Sequence, residues 1–240
     1  MDAHPTGGRF ETTSWTLVAN ARTSKAELET LLARYWSPVY AWLRSRGHDA
    51  ETAADLTQSF MCDVVLQRDL IGKADRARGR FRSFLLSALR NYEVDAHRRD
   101  RGRDGRRART LLPDDPAAWR AAEPCAGDDP ARAFERQWAA AIFHEALSRT
   151  ERACGANGMA RHWRAFEARC LHPILHGAAP ISIDALVDEL HAETPLEISS
   201  LLHSAKRRFR AELLAVITET IDESADVEHE LAALRAFLAM

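Results

Sequence analysis

A run of arginines behind an apolar helical pattern carries the clearest chemistry in this sequence. Seven arginines lie between Arg98 and Arg109, against only Asp100 and Asp104, although the whole chain has a formal net charge of −2. Guanidinium groups neutralise phosphates and release counterions, so a local cationic run indicates a nucleic-acid contact. A solvated basic linker is the alternative interpretation of such a run. The arginines that we expect to contact phosphate are Arg98, Arg99, Arg101 and Arg103.

Three residues just before this run, Arg90, Asn91 and Tyr92, are candidates for reading bases. Single-stranded bases are recognised by stacking on flat side chains and by hydrogen bonds to their edges. Asn91 interrupts an apolar helical pattern at a point where helix propensity disfavours it, which favours a role outside the core. Tyr92 continues the apolar stripe that runs from Phe81 to Leu89, so a place in the core is the alternative for its ring.

The sequence offers little for catalysis. The cluster with metal-ligand residue types is Cys170, His172 and His176, but Pro173 stands between the histidines and no fourth ligand is apparent. The sequence contains no phosphate-binding glycine loop, nucleophile elbow or zinc-protease motif. We therefore expect a protein that is not an enzyme and that uses no metal or other cofactor.

The elements that position these residues are predicted to be helices. Apolar residues recur at helical spacing, and the sustained period-two alternation of strands is missing. With 240 residues, of which 46% are hydrophobic, the chain can form one large or two small domains. The fold is therefore predicted to be all-α.

The compartment is predicted to be the cytoplasm. No apolar run reaches the roughly 18 residues of a membrane span, and the N-terminus has no signal-peptide pattern. The four cysteines form no C-x-x-C pair, which is typical of a reducing compartment. We expect no membrane contact.

Breaks in the periodicity divide the chain into two small helical domains and a flexible linker. In the first domain, Pro38 is predicted to kink or break a helix, Gly47 to end it, and Asp49 to cap the next. In the second, Ser182 caps a short helix, and the sequence from Thr194 to Glu197 begins a long one; together they form a helix-turn-helix pattern. The predicted divisions are an N-terminal extension (1–27), a three- or four-helix domain (28–109), a proline-rich linker (110–133), the helix-turn-helix domain (134–217) and an acidic tail (218–240).

Several motifs occur in the order found in one known family. D-L-T-Q, G-R-F-R-S-F and R-N-x-x-x-D-x-x-R-R follow one another in the first domain, and ISIDALVDEL and SAKRRFRAELL lie in the second. With these motifs the chain resembles a bacterial RNA polymerase sigma factor of the sigma-70 family, extracytoplasmic-function type. It departs from the family pattern at Ala54 and Ser59, where glutamates are common, and at the turn His191-Ala-Glu193, which lacks the usual glycine.

The resemblance implies a protein that binds core RNA polymerase and opens promoters. Glu51, Asp55 and Gln58 would meet a basic coiled coil of the β′ subunit, and the β subunit is a further expected partner. The segment with Arg90, Asn91 and Tyr92 would read the melted minus-ten element. The minus-thirty-five element would be read by Ser199, Ser200, His203 and Ser204 in the major groove, while Lys206, Arg207 and Arg210 would contact phosphate.

Regulation and alternative functions remain open at this point. An anti-sigma factor is one possible further partner, and a kinase acting on Thr52, Thr57 or Ser59 is another, since phosphates there would restore an acidic face. One alternative function is a helical adaptor or anti-activator that keeps the fold without promoter recognition. Another is an arginine-rich RNA-binding protein.

Overall fold

The predicted all-α fold is confirmed. The computed structural model describes residues 16–63, 70–74, 81–99, 113, 115–219, 231 and 234, and every regular element in these ranges is helical. None of the helices in this part of the chain is long and apolar enough to cross a bilayer. The helices are α1 (Thr16–Asn20), α2 (Lys25–Ser45), α3 (Ala50–Phe60), α4 (Leu70–Lys73), α5 (Phe81–Arg99), α6 (Pro116–Ala121), α7 (Pro130–Ala156), α8 (Ala160–Phe166), α9 (His172–His176), α10 (Ile183–Glu189) and α11 (Pro195–Thr218), with a π-helical stretch, Glu167–Leu171, between α8 and α9.

The chain divides into two compact units whose limits differ from the predicted divisions. The first unit comprises residues 1–139 together with 218–240, and the second comprises residues 140–217. The first ten residues of α7 therefore belong to the first unit, as does the segment predicted to be a tail. Arg82 of α5 helps to hold the beginning of α7 in the first unit, because its guanidinium lies 4.2 Å from the ring of Trp138 and 3.2 Å from the carboxylate of Glu135.

The core of the first unit is organised around α2. Ser24 caps this helix by accepting a hydrogen bond from the Glu27 N–H at 3.3 Å. Buried side chains recur at helical spacing along it, among them Leu32, Val39 and Leu43. Pro38 was predicted to kink or break the helix; the break does not occur, since α2 continues through this residue to Ser45, and the kink stays a prediction. The missing proline N–H removes one backbone hydrogen bond, and dense burial around Pro38 stabilises the helix in spite of that loss.

The part of the predicted linker that the structure describes is packed against α2. The Trp119 ring in α6 lies 4.8 Å from Trp36 and 4.9 Å from Tyr40, and its Nε1 donates to the Pro113 carbonyl at 2.8 Å. The Glu123 carboxylate accepts a hydrogen bond from the Tyr40 hydroxyl at 2.6 Å. The proline-rich composition predicted a flexible connection, but these aromatic and polar contacts fix the segment to α2.

The second unit packs its helices around α11. One cluster of buried apolar residues joins Ala165 and Leu186 to Ile198 and Leu202 of α11. Phe209 lies further along α11 and places its ring 5.4 Å from Phe143 and 5.6 Å from Phe166. Residues on the opposite side of α11, such as Ser199, His203 and Arg207, are exposed.

Candidate nucleic-acid interface

The turn between α10 and α11 adopts the geometry usually supplied by glycine. The predicted cap is confirmed, since the Ser182 hydroxyl accepts from the Ala185 N–H at 3.1 Å. At the other end of α10, His191 has a φ of 50°, in the left-handed region, and the Ala192 N–H donates to the Val187 carbonyl at 2.9 Å. This is a Schellman-type helix end with histidine where glycine is common. The absence of glycine therefore does not remove the turn.

The beginning of α11 is held by a network of side-chain contacts. The Thr194 hydroxyl accepts from the Glu197 N–H at 3.2 Å, and the Glu197 carboxylate accepts from the Glu193 N–H at 2.9 Å. The Arg161 guanidinium lies 2.8 Å from the same carboxylate. The Glu193 N–H and Arg161 together hold the pKa of Glu197 below its usual range. Because α8 carries Arg161, these contacts fix the direction in which α11 leaves the turn.

The exposed face of α11 contains six of the seven residues predicted to read the minus-thirty-five element. These six are Ser199, Ser200, His203, Lys206, Arg207 and Arg210, and all are exposed. Each lies three or four positions from at least one other member of the set, so the six share one side of the helix. Ser204 differs, because it is only half-exposed and lies towards the packed side. We refer to these six residues as the α11 face.

The polarity of the α11 face changes along the helix. Hydroxyl and imidazole groups occupy its N-terminal half, and three cations occupy its C-terminal half. No carboxylate belongs to this face. The nearby Glu212 is partly buried and lies 3.6 Å from Arg208 on another side of the helix. The face therefore combines groups that can hydrogen-bond to base edges with groups that attract phosphate.

On α5 the structure separates the three predicted base-reading residues. Arg90 and Asn91 are both exposed, whereas Tyr92 is only 6% exposed. The Tyr92 ring packs edge-on against Phe60 of α3, with the ring centres 5.5 Å apart. Its two faces are thus not presented to solvent, and the core alternative describes its position in this structure. Arg90 and Asn91 remain candidates for contacting bases.

The phosphate-binding candidates lie at and beyond the limit of the described residues. Arg98 and Arg99 are the last two residues of α5. Arg101 and Arg103 lie outside the part of the chain that the structure describes. For Arg98 and Arg99 the structure therefore gives only the position of the backbone, at the end of α5.

A buried carboxylate that the sequence analysis missed fixes α5 in place. Glu93 is 4% exposed, and its carboxylate lies 3.2 Å from Arg46 Nε and 3.1 Å from His48 Nε2. These partners follow the end of α2, so the cluster ties α5 to the segment that leads into α3. The sequence signal for this cluster was the position of Glu93 beside Tyr92, at the edge of an apolar stripe. A glutamate buried there requires a charged partner, because buried acids are almost always paired.

The predicted polymerase-binding residues lie along one side of α3. Glu51 and Asp55 are exposed, and Gln58 is half-exposed. Their spacing of four and three positions places them on one helical face. The helix begins at the predicted cap, where Asp49 accepts from the Thr52 N–H at 2.8 Å. The Thr52 N–H and hydroxyl hold the pKa of Asp49 below its ordinary value.

The structure corrects the set of hydroxyls considered for phosphorylation. Thr57 is fully buried, and its hydroxyl donates to the Ala53 carbonyl at 2.7 Å. A kinase cannot reach this group while the unit is folded, so Thr57 is wrong as a candidate. Thr52 is exposed, and Ser59 is half-exposed.

Within the described residues, no group of three or more histidine, cysteine, aspartate or glutamate side chains is arranged to hold a metal ion. The cluster around Cys170 and His172 is thus not assembled as a site among these residues. The side chain of His176 lies outside them.

Comparison with known proteins adds no relative from which a function could be transferred. No protein-family model matches this chain, and no match was found among the curated proteins or the solved structures. Function is therefore inferred from the described residues themselves.

Proposed function

We propose that this protein is a sigma-type initiation factor, which binds core RNA polymerase and directs it to promoter DNA. The observation that carries the proposal is the α11 face. A helix that follows a short turn and exposes hydroxyls at its beginning and cations towards its end matches the chemistry of a major-groove reader. In this proposal Ser199, Ser200 and His203 meet base edges, and Lys206, Arg207 and Arg210 contact phosphates.

The exposed part of α5 supplies the second DNA contact in this proposal. Asn91 offers an amide that can donate and accept at a base edge, and Arg90 offers a planar guanidinium on which an unpaired base can stack. With Tyr92 buried, hydrogen bonding by Asn91 takes the larger share of base reading. The arginine-rich sequence that begins at Arg98 adds affinity for any DNA sequence.

The polymerase contact is assigned to α3. Glu51 and Asp55 are exposed carboxylates on one face, and Gln58 extends that face by a further turn. Such a face fits a basic surface of the polymerase β′ subunit, because complementary charge steers the two proteins together. The factor itself has no catalytic role in this scheme, and it acts in the cytoplasm.

Run-off transcription with the full chain, core enzyme and genomic fragments tests the proposal. We expect transcripts with defined start points that depend on the added chain. Arg207→Ala should weaken promoter binding and lower the log–log salt slope by about 0.9 for one lost phosphate contact. Arg152→Ala is the matched control, because Arg152 is an exposed arginine of the second unit that lies on α7. Its salt slope should equal that of the parent.

Two outcomes would refute the proposal and select an alternative. Core binding without promoter-dependent transcripts would indicate a helical adaptor. Tight RNA binding that persists without polymerase would indicate an RNA-binding protein.

A further inference from the structure

The first turn of α11 exposes an apolar side chain beside the α11 face. Leu196 is 78% exposed, the highest value among the exposed large hydrophobic residues of the described chain. It lies three and four positions before Ser199 and Ser200 and seven before His203, so it continues their side of the helix. The packed side of the same helix is formed by Ile198, Leu201 and Leu202 instead.

We propose that Leu196 makes the α11 face selective for a thymine in duplex DNA, by contacting the thymine C5-methyl group in the major groove. This inference rests on the proposed function and names part of the sequence that the site would read. The commitment to DNA follows from charge, since the remainder of the face carries three cations and no carboxylate.

The chemistry of the groove decides which base an exposed leucine favours. All four bases present hydrogen-bond donors or acceptors at the major-groove edge, and thymine alone adds a methyl group beside its O4 acceptor. The leucine side chain cannot form hydrogen bonds, so a polar base edge opposite it loses its hydrogen bonds to water and gains none from the protein. Opposite a thymine, contact between the leucine side chain and the C5-methyl group removes apolar surface of both from water, which favours binding. Residues near the beginning of a recognition helix are also those that reach base edges.

Leu196 is suited to a test because the fold does not depend on it. Its side chain is largely outside the core, and alanine has a higher helix propensity than leucine. Leu196→Ala should therefore leave helicity and thermal stability unchanged, and circular dichroism checks this. Ile174→Ala is the matched control, since Ile174 is 68% exposed in the same unit but lies on α9.

The experiment uses holoenzyme formed from the full chain and core polymerase. Linear duplexes with a randomised upstream element are selected for binding, and the selected duplex is then remade with deoxyuridine in place of each thymine. We expect one thymine to be enriched and its replacement to weaken binding about fourfold, the effect of one buried methyl group. Leu196→Ala should weaken binding to the thymine duplex by a similar factor and should no longer distinguish thymine from deoxyuridine. Ile174→Ala should behave as the parent.

The results separate this inference from the proposed function. If thymine is not enriched, if Leu196→Ala still distinguishes the two bases, or if Ile174→Ala loses the distinction, the role of Leu196 is refuted while promoter recognition stands. A holoenzyme that selects no DNA sequence at all would refute both.

Discussion

The left-handed residue in the turn before α11 allows a direct test of how the second unit is built. His191 has a φ of 50° and is the only residue other than glycine with a positive φ in the described chain. In this conformation its Cβ lies close to the following carbonyl oxygen, at a cost of roughly 1–2 kcal/mol. Glycine has no Cβ and pays no such penalty. His191→Gly should therefore remove strain while the turn keeps its hydrogen bonds.

Two opposing terms decide the size of the effect. Relief of strain contributes roughly 1–2 kcal/mol. The greater freedom of glycine in the unfolded chain takes back about 0.4–1 kcal/mol. The side chain of His191 is exposed, so little packing is lost with it. The net expectation is that the free energy of unfolding of the second unit rises by about 1 kcal/mol, which in a domain of 60–100 residues is about 4–8 °C in Tm.

Chemical and thermal denaturation of the full chain measure this change. Glu193→Gly is the matched control, because Glu193 lies two residues further on in the same turn and has no positive φ. In that variant the new glycine raises the conformational entropy of the unfolded chain, but no backbone strain is relieved in the folded unit. Glu193→Gly should therefore be less stable than the parent. His191→Ala keeps a Cβ at the strained position and should bring no gain. A His191→Gly variant that is less stable than the parent would refute the strain and the assigned turn geometry.

Three further predictions concern the other surfaces. Asp55→Arg should weaken core polymerase binding in a pull-down without loss of helicity, because the new arginine would repel the basic polymerase surface proposed to meet α3. Asp184→Arg on α10 is the control and should leave binding unchanged. Equal affinities of the two variants for core polymerase would reject α3 as the contact. Asn91→Ala should reduce open-complex formation and relax base preference at one minus-ten position by about 1–3 kcal/mol, and a uniform loss across promoters would mean that its role is structural. Burial and the Glu123 carboxylate raise the pKa of Tyr40 to about 12, so Glu123→Gln should lower it in an ultraviolet titration of tyrosinate. The pKa of Tyr40 in the folded protein lies above its unfolded value of about 10, so the stabilisation linked to Tyr40 is present below pH 10 and is lost as the pH rises towards 12. A free energy of unfolding that does not fall over this range would contradict the raised pKa of Tyr40.

Local signals in the sequence were sufficient for the class of fold and for several helix ends. The apolar spacing of 3 and 4 residues predicted helices because it reports directly on which side of a helix is buried. The caps Asp49, Ser182 and Thr194 were predicted and are confirmed, since each depends on a side chain and a backbone N–H at most three residues apart. The shared side of the α11 face follows from the same periodicity.

Burial of individual polar residues was not decided by local pattern. Tyr92 and Thr57 could each have faced inwards or outwards from their spacing alone, and only tertiary packing buries them, for Tyr92 against the Phe60 ring of α3. Glu93 is buried because Arg46 and His48, more than 40 positions earlier in the chain, provide its partners. Composition cannot reveal a partner at that separation.

The sequence by itself therefore determined the all-α class of fold and the caps at Asp49, Ser182 and Thr194, because these depend on local spacing. The nucleic-acid contacts that it predicts stay predictions. The tertiary structure alone decided how segments far apart in the chain combine into units. The Tyr40 hydroxyl reaches Glu123 across 83 positions, which turns a predicted linker into part of the first unit. Arg34, which is 4% exposed, meets Glu219 at 3.2 Å across 185 positions, at the beginning of the predicted tail. Such contacts arise because a buried guanidinium or hydroxyl requires a partner, and the fold determines which distant residue supplies it.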